Sequence, residues 1–560
     1  MATNKISIVQ QPLDSDEFIS DLRSFRRMLS SCIGPGGGIK IIISAAGYST
    51  FTSSSSRLLS AITVDNPVCI YINQIIKTQI NSYYNDFGLY SGVFITFLLE
   101  KMLSHNIGLS TSSMIGVIEH LSSELKRILD LDCIKLKVDF STVKQLLPLV
   151  RSVISSKPLC GLTKNAMLDL QINIVKGFLQ TIGETVGKVF VECHEGSEMK
   201  SQIFSGILYQ IKFEDTTILN NISRKQNLNV LLFNIMLTED ETMKISDYRS
   251  VKIEGPKYRN NFVEEALNLF DEAVKLDIDI VACQKVIHPS LCLHLQRKGI
   301  LVLERLGTDL TMALETFSGA IPISSIKHCP TDKLCEFIGR IDCVKGLHYG
   351  DKQYVSLIKQ DSTIATLLVH APNEEAASEL KVVIKQCLST LNHLISNSEV
   401  IPGAGCFEMS VAVRLLKQVR SNTEHSVCTR TQLNTCVRWM QMALLSAAGF
   451  SHENFSLLTV DTMFGHLWKS SKETCCCGLI STNMIETSES GQWKEIVNSE
   501  ELLFIEDSVL FTNLSSKSLT LTEQAIIDLY KSKQNAINIS LETCINLFGI
   551  GMIVYKPSNH

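Results

Sequence analysis

The chain has 560 residues, 45% hydrophobic and 19% charged, with 52 Lys and Arg against 57 Asp and Glu. Its length allows several buried cores, and its composition is globular rather than disordered. The net charge of -5 gives no electrostatic reason to bind nucleic acid or an anionic membrane, and no apolar run, Val93–Leu99 included, reaches the length of a membrane span.

Ser15–Ser30 reads as a helix, because Phe18, Leu22, Phe25 and Leu29 recur at spacings of four, three and four. It runs into Ser31-Cys32-Ile33-Gly34-Pro35-Gly36-Gly37-Gly38-Ile39-Lys40. The adjacent glycines free the backbone for positive φ, and successive N–H groups in such a turn suit phosphate. The stretch lacks Walker A spacing, and a helical pattern rather than a strand precedes it. A phosphate cradle and a plain flexible turn both fit it. Ile41–Ser44 reads as a strand, and Ser53–Ser56 interrupts the apolar pattern. Leu58–Ile62 and Pro67–Ile76 are helical candidates, Asn85-Asp86-Phe87-Gly88 is a turn, and Leu89–Leu103 is an apolar helix. Phe262, Ala266, Leu269, Ala273 and Leu276 mark an amphipathic helix. The expected strand Asp277–Ala282 follows, then Cys283–Ile287, a helix ending at Lys298-Gly299, and the strand Ile300–Leu303. Ala377, Leu380, Ile384, Cys387, Leu391 and Leu394 trace one helix face toward Pro402. A further glycine turn, Gly403-Ala404-Gly405-Cys406-Phe407-Glu408, opens a helix through Leu415-Leu416.

These turns, one near the start and one about three-quarters along, resemble the split nucleotide site of group II chaperonins. Gly34-Pro35 falls on the family's GPxGxxK turn with Lys40 in register, and Gly403–Glu408 falls on its GGGAxE turn. The β–α–β order around Cys283-Gln284-Lys285 is similar to the family's apical domain. Val150–Pro158, Cys283–Leu291 (CQKVIHPSL) and Gly465–Trp468 resemble its divergent Bardet–Biedl chaperonin-like members. The resemblance implies a multi-domain α and α/β subunit. Its helical equatorial domain would span 1–145 and 397–560, its intermediate domain 146–196 and 341–396, and its α/β apical domain 197–340.

Within that resemblance, the nucleotide positions would be Gly34, Pro35, Gly36, Gly37, Asp86, Gly403 and Gly405, with Asp86 as the one metal-side carboxylate. The family's Gly-Asp-Gly-Thr-Thr loop falls on Asn85–Leu89, so both threonine hydroxyls are gone and Phe87 replaces a glycine. Its Asn-Asp-Gly-Ala segment falls on Ser53–Ser56, and its catalytic aspartate falls on Gln386. An amide cannot accept a proton from water, and losing such a group lowers a rate by about 10²–10⁴-fold. The reading is therefore of a chain that is not an ATPase and needs no cofactor. Whether these turns still hold ATP and magnesium or serve only the fold stays open at this point.

With Met1–Lys5 lacking the apolar core of a signal peptide, the 18 cysteines read as reduced, mostly buried thiols of a cytosolic protein. Cys475-Cys476-Cys477 near His466 lacks the paired C-x₂₋₄-C spacing of a zinc site and reads as a strand or loop lining. Cys283 and Cys292 near His288 read as packing rather than nucleophilic catalysis. Glu264-Glu265 and Glu239-Asp240-Glu241 are either solvated faces or a partner surface, and Ser53–Ser56 is a polar turn or a phosphorylation site. The resemblance implies an assembly factor acting with other Bardet–Biedl chaperonin-like proteins and CCT subunits on BBSome clients, in cytoplasm, centrosome and ciliary basal body. An active ring ATPase and a structural centrosomal protein are the alternatives.

Overall fold

The computed structural model describes residues 7–555 except 11, 14, 35–36, 45–46, 48, 84–86, 106–107, 133–134, 141, 158–163, 184–186, 197–199, 212–215, 239–260, 327–330, 350–351, 361, 422–427, 451–457, 462–464, 470–471, 483–492 and 496–523. Pro35, Gly36, Asn85, Asp86 and Glu239–Glu241 therefore lie outside the described residues. The chain divides into two compact units, one formed by 1–162 with 378–560 and the other by 163–377.

The first unit joins both chain ends. Its centre is the helix Gly88–Ser104, whose sequence is apolar on almost every side and is buried accordingly. The helices Asp16–Ser30, Pro67–Tyr83, Arg430–Ala447 and Tyr530–Phe548 pack around it. Gly92 permits the close approach, since a Cβ there would stand 2.6 Å from Leu29 Cδ1. The one acid of the central helix, Glu100, is paired with Arg23 (2.6 Å) and Arg26. Burial works against its charge, yet the two guanidiniums prevail and hold the carboxyl below its ordinary range.

Helix Asp16–Ser30 is capped by Ser15, whose Oγ accepts from Phe18 N, and it buries the four apolar residues of the expected stripe. Lys40–Ile43 and Ser49–Thr52 form an antiparallel hairpin that leaves Ile41 and Ile43 exposed. The strands Ser7–Gln10 and Met552–Tyr555 pair antiparallel, with Ser7 opposite Tyr555.

The second unit contains a four-stranded sheet in the order Leu301–Leu303, Ile280–Cys283, Leu228–Phe233, Gly339–Ile341. The first three strands are parallel and the last is antiparallel. Alternation along Leu228–Phe233 sends Leu228, Val230 and Leu232 to one core and Leu231 and Phe233 to the other. Helices Asn261–Lys275 and Pro289–Arg297 cover the second face, and Gly307–Ser318 covers the first. This is the α/β layer expected from the sequence.

The expected strand from Asp277 is corrected to Ile280–Cys283. Asp277 takes a left-handed turn (φ 52°), and the Asp279 carboxylate accepts from Lys225 Nζ and Asn229 N, which anchors the turn instead of extending the strand. Among the described residues, no helix is long and apolar enough to cross a membrane.

Candidate functional site

The first glycine turn is closed on itself. Gly34 is left-handed (φ 76°), Gly37 N donates to Gly34 O at 3.0 Å, and Gly38 N donates to Ser31 O at 3.0 Å. A Cβ on Gly37 would come within 2.7 Å of the Cys32 carbonyl. Lys40 Nζ reaches back to Ser31 O and Gly38 O at 3.2 and 3.3 Å. Among the described residues of the turn, the Gly37 and Gly38 amides and the Lys40 ammonium thus serve the turn's own carbonyls. Burial pushes the Cys32 thiol up, against the lowering pull of Lys40 and Lys157.

Of the stretch read as a polar turn or a phosphorylation site, Ser53, Ser54 and Ser55 are buried, and Ser55 opens the helix Ser55–Ala61, so these three hydroxyls face the interior rather than a modifying enzyme. They receive a carboxylate from across the chain. Glu379 accepts from Thr52 Oγ1 (2.9 Å), Ser53 N (2.8 Å), Ser53 Oγ (3.0 Å) and Arg57 Nη1 (3.3 Å). Lys157 Nζ donates to Ser53 O at 3.3 Å. Glu379 lies on the helix Glu374–Ser396, two turns before Gln386 on the same face. Glu379, Val383, Gln386 and Thr390 are all buried and form a second stripe beside the apolar one. The apolar stripe alone does not single out Glu379; its signal in the sequence is the helical spacing of Glu379, Gln386 and Thr390, which does not say what the carboxylate meets.

The second glycine turn packs rather than opens. Gly403 N donates to Ile526 O at 2.8 Å, and a Cβ there would stand 2.9 Å from Ile526 Cγ2. Gly405 is left-handed (φ 79°), and a Cβ on it would overlap the Phe450 ring. Ala404 is also left-handed, at φ 52°. Glu408, one turn on, is buried and pairs with Lys533 Nζ at 2.5 Å, which also meets Asp528 at 3.2 Å. The Lys533 ammonium stands 4.2 Å from the Phe87 ring centroid and 4.5 Å from that of Tyr90. Burial opposes its charge, but Glu408 and Asp528 outweigh burial and hold the ammonium above the ordinary lysine range.

Phe87 itself is left-handed (φ 55°), the conformation a glycine adopts without strain. Its ring and Lys533 occupy the space beside the second turn. Lys533 carried no signal in the sequence, because its partner Glu408 lies 125 residues away. Among the described residues of these stretches, Gly37 N, Gly38 N, Gly403 N and Lys40 Nζ donate to backbone carbonyls, and Glu379 and Glu408 are paired within the protein. A cleft of about 280 Å³ lined by Tyr83, His393 and Ser532 among others lies in this unit, and no turn glycine reaches it.

In the second unit, Cys283 is no nucleophile. Its thiol donates to Ile235 O at 3.2 Å, and burial pushes it up to about 11. His288 caps the next helix, its Nδ1 accepting from Ser290 N. The tripeptide at 475–477 has a different fate. Cys475 and Cys477 are buried in a tight turn closed by Gly478 N to Cys475 O at 2.9 Å, whereas Cys476 is half-buried. Cys406, first residue of the helix Cys406–Ser421, joins them together with His466.

The TCP-1/cpn60 chaperonin family profile matches residues 25–557. The chain is 27% identical to Molecular chaperone MKKS of Homo sapiens and 26% identical to that of Mus musculus, each over 97% of both chains. It is 25% identical to Thermosome subunit 2 of Haloferax volcanii, over 80% of this chain and 79% of that one. The matched span takes in both glycine turns and the α/β layer between them.

Proposed function

The chain belongs to the TCP-1/cpn60 chaperonin family, and on that premise we propose that it is a chaperonin-like assembly factor that holds client subunits without hydrolysing ATP. One observation carries the loss of turnover: Gly37 N, Gly38 N and Lys40 Nζ are bonded to carbonyls of their own turn. Phosphoryl transfer depends on donors and metal ligands arranged around the phosphates, and on a group that orients water. Gln386, on the position that the resemblance gives to the acid, leaves the last role without a base. No cofactor is needed for holding.

The finer reading follows the likeness to the proteins named Molecular chaperone MKKS. The chain acts with other Bardet–Biedl chaperonin-like proteins and CCT subunits on BBSome subunits, in cytoplasm, centrosome and ciliary basal body. The segments 146–196 and 341–396 serve as its intermediate domain, and 197–340 is the client-gripping apical part. Phosphate release by the purified full chain with magnesium and ATP is expected at background, and clear magnesium-dependent release overturns the reading. Gln386→Asp is expected to leave release at background, because the cradle donors stay committed; a gain would mean that only the acid was missing. Newly synthesised BBSome subunits are expected to co-purify with the chain, and their absence overturns the holding role.

A further inference from the structure

Three sulfurs and one imidazole, drawn from three separate stretches, meet in the interior of the first unit. Cys406 Sγ, Cys477 Sγ and a ring nitrogen of His466 all lie within 4.8 Å of one another, and each of these residues is at most 1% exposed. Cys475 Sγ stands 3.2 Å from Cys477 Sγ, and His466 Nδ1 is also 3.2 Å from Cys477 Sγ. We propose that Cys406, His466, Cys475 and Cys477 bind zinc(II) as a closed structural site.

The donor set is the Cys₃His type that zinc takes in tetrahedral structural sites. A Zn–S bond of about 2.3 Å sets a tetrahedral edge of about 3.8 Å, a length between the 3.2 Å contacts that Cys477 Sγ makes with Cys475 Sγ and His466 Nδ1 and the 4.8 Å within which Cys406, His466 and Cys477 converge. The surrounding groups already suit bound thiolates: Ile480 N donates to Cys475 Sγ at 3.2 Å and Leu467 N to Cys406 Sγ at 3.5 Å. Such bonds orient the ligands and favour the charged sulfur. Asp461 Oδ2 accepts from His466 N (2.8 Å) and Trp468 Nε1 (3.2 Å), which fixes the backbone at the imidazole.

His466 Nε2 is buried without a hydrogen-bond partner, so the ring is held here by what lies at its other nitrogen. Without a metal, three buried thiols offer each other only weak hydrogen bonds. The C-x-C spacing of 475–477 is tighter than the usual pair, which is why the sequence alone did not mark it. Cys406 and His466 supply the two ligands that the tripeptide lacks. Burial on all sides leaves no open coordination position, so the metal is structural and enters as the chain folds.

The test uses the full-length chain purified from zinc-supplied cells. Elemental analysis is expected to find one zinc per chain that survives dialysis against a chelator. Replacement with cobalt(II) is expected to give the thiolate charge-transfer and intense visible bands of a tetrahedral site. Cys406→Ser and Cys477→Ser are each expected to reduce bound zinc to background, while Cys335→Ser, at an exposed cysteine, keeps it. Should those variants fail to fold, a mercurial titration of the wild-type chain provides an independent reading: zinc is released in step with reaction at these thiols. A folded zinc-free chain with free thiols overturns the proposal. So does intact mass lower by two hydrogens with a disulfide among these cysteines, or copper as the sole bound metal.

Discussion

Lys533 places its ammonium between two carboxylates and two aromatic rings, with 5% of its side chain exposed. Removing one partner from a buried pair leaves the other uncompensated, which costs about 3–5 kcal/mol. Lys533→Met is therefore expected to lower the denaturant midpoint sharply, and a midpoint equal to wild type would contradict the pairing. The pH sign follows from the raised folded pKa. The stabilisation is fully present below the unfolded lysine value of about 10.4 and is lost as pH rises through the folded value. Tyr90, whose phenol burial also raises, acts in the same direction. Stability measured by denaturant is expected to fall above about pH 10, less steeply in a variant lacking Lys533. Glu379 is the second such residue. Glu379→Ala strips an acceptor from Thr52, Ser53 and Arg57 at once, and the orphaned donors are expected to cost about 2–4 kcal/mol.

At the scale of elements, the two glycine turns differ in what they tolerate. Gly34 is left-handed with nothing within 4 Å of a built Cβ, so Gly34→Ala bears only the left-handed penalty of about 1–2 kcal/mol. Gly405 is left-handed and faces the Phe450 ring, so Gly405→Ala adds an overpacking cost of about 1–3 kcal/mol. Thermal melts are expected to rank the second variant well below the first. Much of this level was legible in the sequence, because periodicity is local. The stripe Phe18, Leu22, Phe25 and Leu29, the apolar run of Gly88–Ser104 and the β–α–β order around Cys283 all declare their element by spacing. The glycine turns were legible as turns, but not the destination of their amides. Glu379 with Ser53, Lys533 with Glu408, and Cys406 with Cys477 are pairings across dozens to hundreds of residues, and local spacing in a single sequence does not encode which distant residues meet.

Over the whole molecule, residues 163–377 form a compact unit with two hydrophobic clusters on the faces of one sheet. A fragment of that span is expected to unfold cooperatively and show near-ultraviolet dichroism; a fragment without fixed tertiary signals would show that the unit depends on the rest. The other unit cannot be cut out in one piece, because its central helix Gly88–Ser104 needs the partner Tyr530–Phe548, and Ser7–Gln10 needs Met552–Tyr555. On a ribosome this order matters. At about 5–20 residues per second, the early helices emerge tens of seconds before the last one exists. The inserted unit is complete in that interval, while the amino-terminal helices still present bare leucine and phenylalanine faces to the cell. A protein of the chaperonin family is thus, during its own synthesis, a client that others must shield.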